Sequence, residues 1–369
     1  MNVNVVTVST EKQLNQFIKF PWTIYKGNKN WVPPLISDMK KKLKAKLDGS
    51  ALFLALDGKK AVGRLLVSYD EKLNIKKNEK TGYFSLFECI NDFTVAKALF
   101  DKGMAWLREQ GINFVRGPFP IGGSDGDEYK GLLVNCFDEP PYIMNSYNPE
   151  YYQDLITKYG FRKDYDLFAY HLDKDKIFNE KTGKIIEYAK KKYNFEVYSM
   201  DFKKMDQEIR DLKEVLDLAV PDEWPDLVAP TLEEVQEMAK YLRKFADPDL
   251  IIIARSGNRP IGFGIALPNY NQVLSKINGR LTPIAIMKYL YYRRKIDSVR
   301  FFTMFVIPEF RSKGVSYAIY YQTFLNGTRK GYYIGEGSSI GEENLRMRND
   351  IESFGGVHTK TYRIFCMEL

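Results

Sequence analysis

The chain has 369 residues, of which 44% are hydrophobic and 28% charged, with a formal net charge of +8. That length predicts two domains of roughly 150–200 residues rather than one core, and the balance excludes a disordered or fibrous chain. No run approaches the roughly 20 apolar residues of a membrane span, and three scattered cysteines with only two histidines exclude a disulfide framework and a His-rich metal site. The excess of cations favours anionic partners. A cytoplasmic protein with no metal and no membrane partner is the expectation.

The N-terminus lacks the basic-then-apolar pattern of a signal peptide. Leu35, Met39, Leu43 and Leu47 recur every four residues in a helical stripe, with five lysines of MKKKLKAKL (39–47) around it. Pro33 and Pro34 mark its start, and the lysines read as a solvated face, with a phosphate-binding role as the alternative. LALDGKKAVGRL (54–65) predicts a hairpin turning at Gly58. The strand-to-helix junction at 84–100, FSLFECINDFTVAKALF, holds no glycine and puts Asp92 at the helix start. A carboxylate there suits a helix and repels a phosphate. GPFPIGGSDGDEYKG (117–131) reads as a flexible loop, with a lid or an acceptor-binding loop as the alternative. A helix, a glycine and an aromatic strand follow at 154–170, and the domain boundary is placed at 172/173, giving domains 1–172 and 173–369.

The second half repeats the plan. IARSGNRPIGFG (253–264) matches the first hairpin, Gly257 standing for Gly58 and Gly262 for Gly63, and 349–365 again gives helix, glycine and aromatic strand. A duplication follows from such self-similarity at long period. Before the hairpin lies the Pro-bounded VPDEWPDLVAP (220–230); after it comes the most apolar stretch, LTPIAIMKYLYY (281–292), too short to span a membrane, and the Tyr-rich MKYLYYRRK (287–295) reads as a packing helix, with a helix over an active site as the alternative. Each half predicts a mixed α/β fold, a mostly antiparallel sheet flanked by helices.

At 300–325 the strand RFFTMFV hands over to a helix, about 312–328, through IPEFRSKGVS. Arg311, Gly314 and Ser316 put small residues and cations where a helix presents its first N–H groups, which have no helical partners and carry partial positive charge. Such a place suits a phosphate; an ordinary surface turn is the bland alternative. The stretch resembles the acetyl-CoA-binding motif of GNAT N-acyltransferases, a strand followed by R/Q-x-x-G-x-G/A, with Ser316 in the last small position. The resemblance implies that amides from Ser312, Lys313, Gly314, Val315 and Ser316, beside Arg311, hold the CoA pyrophosphate, and that backbone groups of Phe305 and Val306 pair with the pantetheine arm. It also implies a pantetheine contact for Asn344 and, seven residues later, a tyrosine acid; Ile351 stands there instead. Residues 20–35, 138–152, 266–274 and 359–365 extend the likeness to a bacterial group of tandem GNAT proteins.

Acylation needs a neutral amine and therefore a proton acceptor. Glu336, on the strand that would face the acyl group, is the first candidate, against a structural role. Glu223 and Trp224 are candidates for the acceptor pocket, Trp224 equally for a core; Ser338 is a candidate beside the thioester, and His358 reads as structural. The leading expectation is a transferase using acetyl-CoA, or another acyl-CoA, on a small-molecule or peptide amine, with the first domain unable to bind CoA in this way. The alternatives are a non-catalytic acyl-CoA-binding or regulatory protein, and a Fem-type aminoacyl transferase. The latter's tRNA would suit the positive charge, but the CoA motif argues against it and against a nucleic-acid partner.

Overall fold

The computed structural model describes residues 2–45, 49–121, 128–177, 180–220, 229–243 and 246–369. The strands of the first half are β1 (Val3–Thr7), β2 (Ser50–Asp57), β3 (Lys60–Tyr69), β4 (Thr81–Cys89), β5 (Phe114–Gly117), β6 (Leu132–Leu133) and β7 (Arg162–Asp173). Those of the second are β8 (Glu196–Ser199), β9 (Ile251–Ser256), β10 (Arg259–Pro268), β11 (Ser298–Val306), β12 (Ile334–Gly341) and β13 (Val357–Glu368). Two compact units result. One comprises Met1–Leu167, Asn271–Arg294 and Lys360–Leu369, the other Phe168–Tyr270 and Lys295–Thr359. The first division therefore falls inside β7, five residues before the sequence-based boundary, and β13 is divided in the same way.

In the first unit β1, β2, β3 and β4 pair antiparallel in that order, β4 pairs parallel with β5, and the end of β13 pairs antiparallel with β5. A parallel neighbour requires a crossover, and the Phe93–Glu109 helix lies in it. That helix buries Val95, Leu99, Phe100 and Leu107, at helical spacing, in the cluster that holds Phe53, Leu65, Val67 and Phe84. Gly103 is placed where a β-carbon would press on Leu65 and Val67. The lysine-rich helix, Ile36–Ala45, buries Met39 and Leu43. Lys40 and Lys44 pair with Glu11, and Lys42 with Glu128, so this is the solvated face expected; Leu47 lies outside the described residues.

The second unit repeats the order. β8, β9, β10 and β11 pair antiparallel, and β11 pairs parallel with β12 across the Val315–Arg329 helix. Both hairpins turn where foreseen: Gly58 and Gly257 take φ +60 and +58, the left-handed backbone a two-residue hairpin turn needs. Tyr320 of the helix meets Phe301 edge to face and stacks on Phe354, Phe324 lies tilted against Phe301, and together they form the core on that face.

Two expectations change. The helix after the IPEFRSKGVS turn starts at Val315, not near 312, because Ser312 (φ +61) and Gly314 (φ +82) are left-handed and cannot belong to it. The MKYLYYRRK stretch (287–295) lies in the Pro283–Tyr292 helix and the 3-10 turn after it, but it does not pack as predicted: of that helix's residues only Ala285 is buried.

Candidate functional site

The second unit's parallel strand pair carries the candidate site. Ser298–Phe301 of β11 lie in register with Ile334–Gly337 of β12, and the register stops there although the strands run on to Val306 and Gly341. The cause is on the other edge. Against β10, Ile265 faces Thr303 and Ala266 faces Phe301, so Phe302 is an extra residue, a β-bulge. A bulge bends its strand and raises the local twist, which turns the outer half of β11 away from β12. Exposure follows: Ser298–Phe301 are buried, whereas residues 302–306 are half-buried.

Beyond β11 a short 3-10 turn, Pro308–Phe310, leads to Gly314, the N-cap of the Val315–Arg329 helix, which has no side-chain cap. The first intrahelical bond runs from the Ala318 N–H to the Gly314 carbonyl (3.0 Å). The N–H groups before it have no acceptor within the helix, and the macrodipole adds positive potential. Arg311 is not free beside them. Its Nε donates to the Val306 carbonyl (3.0 Å) and its Nη2 to the Ala219 carbonyl (2.8 Å), so it ties the turn to the end of β11. The Lys313 ammonium lies over the rings of Phe310 (4.8 Å) and Tyr193 (5.7 Å). Burial, and secondly the charge of Arg346, lower the Arg311 pKa.

The equivalent place in the first unit is built differently. β4 is buried along its whole length, and the Phe93–Glu109 helix is capped by Asp92, whose carboxylate accepts from the Thr94 N–H (2.7 Å). In place of an open strand there is a buried polar cluster. Glu88 accepts from Tyr25 (3.0 Å), Tyr152 (2.8 Å) and Arg64 (3.5 Å).

No family model matches the chain. Protein YghO of Escherichia coli (strain K12) is 29% identical over 374 residues, 98% of this chain and 94% of that one. A protein of Caulobacter vibrioides (strain NA1000 / CB15N) named bacterial ceramide synthase is 29% identical over 384 residues, 99% of this chain and 97% of that one. Among solved structures, a tandem GNAT protein from the clavulanic acid biosynthesis pathway superposes with a TM-score of 0.60 at 9% identity, over 100% of this chain and 98% of that one. The fold is the tandem GNAT fold.

On this GNAT fold the sequence-chosen residues fall into three groups. Phe305 and Val306 lie on the diverging arm of β11, and Ser312, Lys313, Gly314, Val315 and Ser316 form the turn and helix start at its end. The Val315 side chain is in the core, so only its backbone faces the turn. Ser316 donates to Asp350 (3.0 Å), whose pKa burial raises against the opposing effects of that hydroxyl and of Arg346. Asn344 caps the Leu345–Ser353 helix, its Oδ1 accepting from the Met347 N–H (3.2 Å). Ile351 is fully buried, and a β-carbon at Gly337 would run into it, so the usual tyrosine's position is a packing position here.

Glu336 and Ser338 come together. The Ser338 hydroxyl donates to Glu336 Oε1 (3.1 Å) and accepts from Arg300 Nε (3.0 Å); all three side chains are buried. Arg300 also donates from Nη2 to the Ser338 carbonyl (3.3 Å), and stands opposite Glu336 in the β11–β12 register. The cluster lies where the strands part, since Gly337 is the last registered residue. Glu223 and Trp224 lie outside the described residues. His358 is exposed beside the rings of Phe168 (4.5 Å) and Tyr170 (5.5 Å).

Sequence reasoning missed Arg300, Asp350 and the bulge. A charged residue inside the apolar run RFFTMFV was the available signal for Arg300. Asp350 gave none, since only the fold brings it to Ser316. Among the described residues no group of three His, Cys, Asp or Glu is placed to hold a metal ion.

Proposed function

We propose that the chain is an acyl-CoA-dependent N-acyltransferase that takes its thioester in the second half, residues 173–369. The observation that carries this is the bulge at Phe302 leading straight into an uncapped helix start at Gly314. A strand bent off its neighbour accepts an extended amide-bearing chain as a strand would, and the pantetheine arm is such a chain. At the end of that arm, N–H groups of Gly314, Val315 and Ser316 suit a pyrophosphate, with Lys313 and Arg346 adding charge. Asn344 keeps its amide Nδ2 outside the cap it makes through Oδ1.

The thioester carbonyl then belongs where β11 and β12 part, beside the Arg300–Ser338–Glu336 cluster. Attack of a neutral amine forms the C–N bond and breaks the C–S bond; the amine's proton leaves through Ser338 towards Glu336, and the CoA sulfur takes a proton from solvent. Acetyl-CoA and longer acyl-CoAs both fit this chemistry. The name of the Caulobacter relative favours a long-chain amine as acceptor over a peptide. A second reading, acyl-CoA binding without turnover, draws on Ile351, which leaves no acid at the usual tyrosine's place.

The test is release of CoA thiol from acetyl-CoA and palmitoyl-CoA with and without amines, a long-chain amino alcohol among them. Release that requires the acceptor supports the transferase. Binding with no release from any pair supports the second reading.

A further inference from the structure

The segment Asn271–Arg294 is rooted in the first unit and then leaves its apolar helix uncovered. At the root, Trp22 Nε1 donates to Asn278 (2.8 Å), the Ile36 N–H to the Gly279 carbonyl (3.0 Å), and Asn271 Nδ2 to the Pro141 carbonyl (2.8 Å). Gly279, at φ +70, lies so close to Trp22 and Pro34 that a β-carbon would collide with both. The Pro283–Tyr292 helix that follows turns Ala285 inward. Ile284, Ile286, Met287, Leu290 and Tyr291 point outward, each 48–64% exposed. Their spacing puts them on one face, the reverse of a surface helix, whose outer face is polar.

Charge frames this face. Lys276, Arg280, Lys288, Arg293 and Arg294 are all exposed, and no Asp or Glu occurs from residue 250 to residue 296. Ten residues of helix are about 15 Å long, half the hydrocarbon thickness of a bilayer. The helix therefore cannot cross a membrane but can lie in its surface, with apolar side chains at the acyl boundary and cations at the headgroups.

We propose that Pro283–Tyr292 docks this protein on anionic phospholipid bilayers. The inference deepens the acyl-transfer reading, because a long-chain amine and a long-chain acyl-CoA both meet the enzyme at such a surface.

The experiment is co-sedimentation of the full chain with vesicles of phosphatidylglycerol and phosphatidylcholine, and of phosphatidylcholine alone. Binding to the anionic vesicles, weakened by salt, is expected. Met287→Asp/Leu290→Asp should weaken it at least about tenfold, and Arg293→Ala and Arg294→Ala about fivefold each. Circular dichroism checks the fold of each variant, and acetyl-CoA titration without vesicles should be unchanged in all. No binding to anionic vesicles, or equal binding by the double aspartate variant, overturns the proposal. So does a dimer, seen by ultracentrifugation, that the double variant dissociates while vesicles go unbound, since a second copy then covers the face. Vesicle binding with no acyl-CoA binding leaves docking standing and removes the transferase instead.

Discussion

Gly314 has two reasons to be glycine. Its φ of +82 is left-handed, and a β-carbon there would lie 3.0 Å from the Ala189 methyl. Gly314→Trp would thus block the proposed phosphate place and also press on the Glu180–Tyr193 helix, so lost binding alone would not separate the two effects. Lys313→Glu is cleaner, because it reverses a charge before the helix without touching the backbone. It should weaken acetyl-CoA binding about tenfold, as a lost phosphate contact of about 1.4 kcal/mol does, while the loss of its contacts with the Phe310 and Tyr193 rings lowers stability by only about 1 kcal/mol. Equal binding would remove Lys313 from the site. For Glu336→Gln the expected result is a fall in turnover of about 100-fold or more, in the range for a lost general base, with acyl-CoA affinity retained. A variant that keeps its turnover would make Glu336 a structural group of the Arg300–Ser338 cluster. The motif around Gly314 was legible because small residues and cations stand together in sequence. The Arg300–Ser338–Glu336 cluster was not, since strand pairing joins residues more than thirty apart, and the bracing role of Arg311 depends on the carbonyl of Ala219.

At the scale of elements, two helices of the same topology end differently. Asp92 caps one with its own carboxylate, and Gly314 leaves the other open. The β4 strand likewise has its interior filled, by Glu88 with Arg64, Tyr25 and Tyr152. Burial raises the Glu88 pKa and lowers that of Arg64, each partner opposing the other's shift. Removing one member of such a pair strands the other's charge, so Glu88→Ala should destabilise the protein by about 3 kcal/mol. Urea melts would check this, and a loss below about 1 kcal/mol would mean that the cluster relaxes around the gap. The hairpins at Gly58 and Gly257 were readable from local turn chemistry. The bulge at Phe302 was not, because register is a property of two strands and RFFTMFV reads the same with or without it. Nor was the bare face of Pro283–Tyr292, since periodicity shows which residues share a face and not what covers them.

On the scale of the whole molecule, the same order of hairpin, parallel pair and closing strand occurs twice, as the duplicated sequence patterns foretold. The closing strand of the chain, β13, ends in the first unit, which repetition along the sequence did not reveal. There Arg363 donates from Nε (2.8 Å) and Nη2 (2.9 Å) to Asp166. Burial raises the Asp166 pKa, but Arg363 and Lys163 outweigh it and hold the carboxyl below its ordinary value. A lowered folded pKa contributes stability above the unfolded value of about 3.9 that is lost as pH falls through the folded one. Acid melts between pH 5 and about pH 2 should show that loss, and Asp166→Asn should flatten it. A profile of unchanged shape would assign the acid sensitivity elsewhere. The most direct test of the central claim is calorimetric titration of the whole chain with acetyl-CoA, with dephospho-CoA and ATP as comparisons. One acyl-CoA bound per chain, with affinity about tenfold weaker in Lys313→Glu and unchanged in Asp92→Ala, is the expected result. No heat with any acyl-CoA, or binding that Lys313→Glu leaves intact, would contradict a thioester site between the Phe302 bulge and the Gly314 helix start.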